Sequence, residues 1–217
     1  MTTATDSVTR DLMRRPLPDR RSALAFAGAG LLFATYPLLR PWGDETTLQG
    51  ARLLASTAWV LSHVAAMAAF VLLAYGIARR GSRSFRGSAG VAAVLGAALV
   101  LPYYGAEAFG GQAIAARAVA AGDPALLTIV DDFRYAVVPM IMFGAGLLAL
   151  AGCGVSLASS VRRVDGVVSR LAVVLVAAGL IGYLPQFFAT PGVRITHGIV
   201  LAIGCLLLAR ARTTAVH

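Results

Sequence analysis

The chain has 217 residues, of which 58% are hydrophobic and 13% charged, and its mean hydropathy is +0.76. That is too apolar for an ordinary soluble domain. Nineteen arginines, no lysine and ten acids leave a formal charge of +9, but no basic-aromatic module accompanies the arginines, which argues against a nucleic-acid partner.

Residues 1–21 are polar and carry Arg10, Arg14, Arg15, Arg20 and Arg21. Without an apolar core this segment reads as a cytoplasmic tail rather than a signal peptide, and the first apolar stretch as an uncleaved signal anchor. A bilayer core about 30 Å thick takes about 20 helical residues to cross. Six stretches qualify: residues 23–39, 53–77, 89–109, 135–161, 171–188 and 193–209. The first, fifth and sixth are short unless their flanks join the helix.

Arginine placement orients the stretches. Arg79, Arg80, Arg83 and Arg86 follow the second, Arg162, Arg163 and Arg170 the fourth, and Arg210 and Arg212 the last. With the tail, fourteen arginines fall on one side and five (Arg40, Arg52, Arg117, Arg134 and Arg194) on the other. Positive charge is retained on the cytoplasmic side. The expected fold class is therefore an all-α integral membrane protein of six transmembrane helices in antiparallel hairpins. Both termini are expected in the cytoplasm, and the plasma (inner) membrane is the expected location. The domain reading is a tail at 1–21, one six-helix domain at 22–212 with an outer loop or stem at 110–134, and a tail at 213–217. Membrane lipids are expected partners, with the cytoplasmic arginines attracting anionic headgroups. Paired small residues, Gly28 with Gly30, Gly90 with Gly96, Gly144 with Gly146 and Gly152 with Gly154, suit close helix packing and leave a homo-oligomer open.

The outer loops differ in kind. Residues 40–50 include Pro41, Trp42, Gly43, Asp44 and Glu45, an ordered turn with an interfacial Trp. Residues 112–121 are Ala-rich and read as a short helix on the membrane surface. Asp123-Pro124 reads as an N-cap followed by Pro, so helix four is expected to start there and project a stem above the membrane. Loops 79–88 and 162–170 read as plain connectors.

Polar residues gather in the outer half. Arg52, Ser56, Trp59 and His63 share one face of the second helix, with His63 about 15 Å below Leu53. Tyr103, Tyr104 and Glu107 end the third helix; Asp131, Asp132, Arg134 and Tyr135 open the fourth. Gln186 ends the fifth, and Arg194, Thr196 and His197 open the sixth. Pro102 and Pro139 are expected to free the carbonyls of Ala98 and Tyr135, which is tolerated where irregular backbone lines a cavity. The expectation is an outward polar cavity over a packed inner half.

Ligand handling is the first functional reading. A small or lipophilic molecule would be bound or transported by Arg52, Trp59, His63, Tyr103, Tyr104, Glu107, Arg134, Tyr135, Gln186, Arg194 and His197. The second is acid–base chemistry on a lipophilic, isoprenoid-like substrate. There Glu107, Asp131 or Asp132 would donate a proton and His63 or His197 accept one. A third is a structural or assembly role without a ligand. Glu107, Asp131 and Asp132 also fit plain surface pairing with Arg134 or Arg194, and the tyrosines and Trp42 fit interface anchoring. A b-type haem on His63 and His197 is disfavoured by an axial offset of about 12 Å, counted from Arg52 and Arg194. No cofactor or metal is expected: Cys153 and Cys205 form no CxxC, no metal-ligand spacing occurs, and there is neither a lysine for retinal nor a GxxxxGK[ST] loop.

Overall fold

The computed structural model describes residues 20–80 and 86–211. The sequence readings at Arg10, Arg14, Arg15, Arg83 and Arg212, and most of both tails, lie outside the described residues. The helices are α1 (Arg20–Leu39), α2 (Leu48–Leu54), α3 (Thr57–Arg80), α4 (Val91–Gly105), α5 (Gln112–Ala121), α6 (Thr128–Arg134), α7 (Val137–Ser160), α8 (Val167–Ile181), α9 (Tyr183–Gln186) and α10 (Pro191–Arg210). Two π-helical turns, Arg86–Gly90 and Ala106–Gly111, flank α4, and 3-10 turns occupy Pro124–Leu127 and Val161–Arg163. There is no strand among the described residues.

Five helical stretches are long and apolar enough to cross a membrane: Arg20–Leu39, Thr57–Arg80, Ser88–Ala121, Val137–Arg163 and Pro191–Arg210. This is the architecture of a helical membrane protein. Flanking residues lengthen α1 and α10 as expected. They do not lengthen α8, which has 15 residues, about 22 Å at 1.5 Å per residue. Gly182 closes it, and Tyr183–Gln186 follows as a separate turn.

The six apolar helices form a closed ring. Helix α1 packs on α3, α3 on α4, α4 on α7, α7 on α8, α8 on α10, and α10 returns to α1. Small residues set the spacing where there is no hydrophobic drive between helices. A Cβ on Gly96 would lie 3.0 Å from the Gly146 carbonyl, and one on Gly146 would lie 3.1 Å from the Gly96 carbonyl. That α4–α7 crossing is backbone against backbone. Gly154 approaches the Ala177 carbonyl and Gly204 the Val176 amide in the same way, at 2.8 and 2.9 Å for an added Cβ.

Above the ring, α2, α5 and the turn Pro124–Leu127 form a small cap. It has its own core of Ala51, Leu54, Trp59, Ala115, Ala118 and Leu127, distinct from the core between the long helices. Thr47 caps α2 by accepting from the Gly50 amide at 3.0 Å.

The cap corrects several sequence expectations. Residues 53–77 are not one helix. The chain breaks at Ala55-Ser56, where the Ser56 hydroxyl accepts from the Trp59 amide and opens α3 as an N-cap does. Arg52 therefore sits on α2, apart from Trp59 and His63. His63 is six residues below Thr57, about 9 Å into α3, and the 15 Å counted from Leu53 assumes a straight helix that the break removes. Residues 112–121 do not form a separate surface helix, because helical backbone is continuous from Ser88 to Ala121. Gly110 and Gly111 are absorbed in the π turn, and the helix stops at Gly122, whose φ of 66° is left-handed.

Asp123 does cap the next turn, accepting from the Ala125 amide, with Pro124 first in the turn. The resulting stem is separate from the span, because the chain breaks at Tyr135-Ala136 before α7 begins. Pro139 consequently falls in the first turn of α7, where amides have no helical partner in any case. It interrupts nothing, whereas Pro102 does lie inside α4.

Candidate functional site

The outer ends of the long helices, with the residues that follow α1, α4 and α9 and the end of α6, surround a partly open cavity of about 330 Å³. This is at the lower end of the roughly 300–1,000 Å³ of small-molecule sites. Its polar wall is a chain of four charged residues from four segments. Arg40 Nη2 donates to Glu45 Oε1 at 2.7 Å, and Glu45 Oε2 lies 2.9 Å from Arg134 Nη2. Arg134 then grips Glu107 with both ends of its fork, Nε to Oε1 at 2.5 Å and Nη2 to Oε2 at 2.7 Å. Such bidentate pairs are strong and orientation-specific. Burial on its own would lower the pKa of Arg134. The hydrogen bonds and charges of Glu107, and those of Glu45, more than reverse this and raise it.

The local sequence prepares each member. Arg40 leaves the end of α1 and lies over two indoles, 4.3 Å from the ring centre of Trp42 and 4.7 Å from that of Trp59. Glu45 is held by the turn that Asp44 builds, accepting from the amide and hydroxyl of Thr46. These bonds, the side-chain one foremost, keep the Asp44 carboxyl below its ordinary range. Glu107 sits in the π turn after α4, and its own carbonyl accepts from Trp59 Nε1 at 2.8 Å. The indole thus joins cap core to ion chain.

Arg194 is different. Its guanidinium stacks 5.0 Å from Trp42 and 5.1 Å from Phe187. Among the described residues no carboxylate lies within ion-pair distance of it, and its buried Nε has no hydrogen-bond partner. Three guanidinium groups therefore face two carboxylates around the cavity.

The rest of the wall is aromatic and apolar. His63 rests on Trp59 at 4.4 Å between ring centres, with Tyr36 and Tyr104 at 5.5 and 5.9 Å. Its Nδ1 is 2.8 Å from the Trp59 carbonyl. A carbonyl only accepts, so Nδ1 carries the proton and Nε2 is the acceptor. Tyr103 stacks on Phe143 at 4.2 Å, and Phe143 meets Phe187 edge-on at 5.1 Å. Met140, Phe143, Gly144 and Leu147 run down one face of α7.

Of the residues singled out from sequence, His63, Tyr103, Tyr104, Glu107, Arg134, Tyr135 and Arg194 line this cavity together. Trp59 is fully buried behind it. Asp131 is exposed, 3.7 Å from Arg134 on the side away from the cavity lining. Asp132 and Arg52 are exposed and do not line it. Gln186 and His197 face a second void of about 10 Å³, with Gln186 Nε2 donating to the Tyr183 carbonyl and His197 Nε2 to the Gly179 carbonyl.

The haem reading changes ground here. His63 and His197 are each six residues into their helices, so the expected axial offset disappears. The two rings nevertheless line different voids, and the His197 Nε2 is already committed to a carbonyl.

Sequence reasoning missed Arg40, Glu45, Tyr36 and the apolar lining from α7, α9 and their flanks. The signal for Arg40 and Glu45 was visible as opposite charges five residues apart around Pro41-Trp42-Gly43. Nothing local pointed Glu45 at Arg134.

Among known proteins, no family model matches the chain, and neither a curated protein nor a solved structure is significantly similar to it. Function is therefore argued from the cavity.

Proposed function

We propose that this protein is a plasma-membrane protein of six spans, with both termini cytoplasmic, that binds a small or lipophilic ligand in the outward cavity. The observation that carries the binding reading is the combination of a built ion chain and a wall of aromatic and aliphatic side chains around one space of about 330 Å³. Binding is favoured over proton transfer because both oxygens of Glu107 are engaged by Arg134. Glu107 is thus an anchor, and Asp131 and Asp132 are outside the lining. Orientation rests on the fourteen-to-five division of arginines.

Gly144 provides the test. It lines the cavity, and a Cβ there meets nothing within 4 Å, so the backbone accepts a side chain at this position and Gly144→Leu places it in or beside the cavity. Native mass spectrometry of gently purified protein should find a bound molecule in the wild type and lose it in Gly144→Leu. Equal occupancy in both, or none in the wild type, overturns the reading. For orientation, Cys153 and Cys205 are buried, so an introduced cysteine reports alone. An impermeant maleimide applied to intact cells should label Arg117→Cys and spare Asp165→Cys; the reverse pattern inverts the topology.

A further inference from the structure

The cavity has a direction. Two of its sides end in exposed residues: Tyr135 and Met140 at the start of α7, and Phe188 just after α9, the last 82% exposed. On the α7 side the lining includes Gly144, where an added Cβ would meet nothing within 4 Å. The surface on this side of the cavity is apolar, with Val137, Val138 and Ile141 all exposed on the same turns of α7. In a chain that crosses a membrane, such a surface faces acyl chains rather than water.

The charges also have a direction. Arg40 and Arg134 are matched by Glu45 and Glu107, with the exposed Asp131 also 3.7 Å from Arg134. Arg194 is half-buried and has no carboxylate partner, which makes it the remaining cation of the lining; its Nε, like that of Arg40, is buried without a hydrogen-bond partner. An uncompensated charge away from water is costly, and an anion at hydrogen-bond distance removes much of that cost. Apolar lining leads from Arg194 past Phe187 and Phe143 to Gly144.

Building on the ligand-binding reading above, we infer that the occupant is an amphiphile with one anionic group, a carboxylate or a phosphate, on an apolar chain. It enters sideways from the outer leaflet past the exposed lining residues Tyr135, Met140 and Phe188. Its anion pairs with Arg194, and its chain lies against Phe143 and Met140 and leaves past Gly144. His63 and the tyrosines form the floor beneath the headgroup.

The probes are laurate, dodecyl phosphate, the neutral 1-dodecanol, and inorganic phosphate, titrated into full-length protein in an uncharged sugar detergent. Trp42 and Trp59 fluorescence reports binding. Wild type should bind the two anionic amphiphiles at least roughly tenfold more tightly than dodecanol, as loss of a buried charge partner costs that or more, and should bind inorganic phosphate far more weakly. Arg194→Gln should abolish the preference for the anionic probes, read as the ratio of their affinities to that of dodecanol within the same variant, and Arg194→Lys should restore part of it. Gly144→Leu should weaken all three amphiphiles. Equal binding of dodecanol and the anions by wild type overturns the anionic headgroup and leaves the ligand-binding reading standing. Inorganic phosphate binding as tightly as dodecyl phosphate overturns the chain. Failure of every amphiphile to bind overturns both readings.

Discussion

Gly144 and Gly146 lie two residues apart on α7, about 3 Å along its axis and on different faces, and they represent the hollow and the solid parts of this molecule. A Cβ on Gly146 would strike Val100 at 2.8 Å and the Gly96 carbonyl, whereas one on Gly144 would touch nothing. Where glycines face a neighbouring helix, as at Gly96, Gly146, Gly154 and Gly204, backbones come into contact and the ring is solid. On the other side of α7, from Met140 down to Leu147, the neighbours are the cavity and its lining of Arg40, Arg134, Arg194 and aromatic rings. Similar apolar helices thus give a solid part and a hollow part. What differs is whether the facing residues are smaller than a helix–helix gap or larger than it.

The comparison can be broken at its strongest joint. Replacing Arg134 with Met leaves Glu107 buried without a partner, which should cost about 3–5 kcal/mol. Thermal unfolding in detergent measures it, and adding Glu107→Gln should recover a large part. No loss on Arg134→Met would mean that the ion chain does not hold the hollow part together.

The next effect separates the two glycines. Gly146→Leu forces a side chain into the α4–α7 backbone contact and should destabilise by about 3 kcal/mol, at the upper end of ordinary overpacking. Gly144→Leu should be neutral or stabilising by up to about 1 kcal/mol, because a helical Gly is replaced by a good helix former. The same pair of melts decides both. If the two variants behave alike, the division between solid and hollow parts is wrong.

Trp59→Phe keeps the ring in the cap core but deletes the indole donor to the Glu107 carbonyl. A loss of about 1–2 kcal/mol is expected, one hydrogen bond with its buried acceptor left bare. A much larger loss would show that Trp59 acts mainly by filling the cap. Smallest of all, Arg52→Ala and Asp132→Asn should each change stability by no more than about 0.5 kcal/mol and leave binding of laurate unaltered. Either one abolishing binding would return these residues to the site.

Much of the fold is legible in the chain. Apolar stretches of membrane length, bounded by arginine clusters, identify the helices, and Asp123-Pro124 marks its turn correctly. The misreadings are informative. Helices two and four were read through breaks at Ser56 and at Tyr135-Ala136, because a single serine bond or one extended residue does not alter hydropathy. Residues 112–121 read as a separate surface helix because they are Ala-rich and lie in the long outer connection, yet the backbone continues into them through Gly110 and Gly111 as a π turn. Pro139 was read as a kink because its effect depends on where its helix begins, and Ala136 decides that.

The site was legible only in part. Glu107, Arg134, His63 and the tyrosines stand out as polar groups near helix ends, and they do share one cavity. Arg52 followed from a helical face that the Ser56 break removes. Asp131 and Asp132 followed from sequence proximity to Arg134, but the fork of that arginine turns towards Glu107, 27 residues away.

By itself, the sequence determined the class of molecule: composition sets the solvent in which the helices can exist, and 1.5 Å per residue sets which of them reach across it. Tertiary structure alone decided which charges meet and which glycine faces a void. Those outcomes depend on groups tens of residues apart arriving within 3 Å, and desolvation gives an ion pair or an empty space its consequence only once the helices have packed.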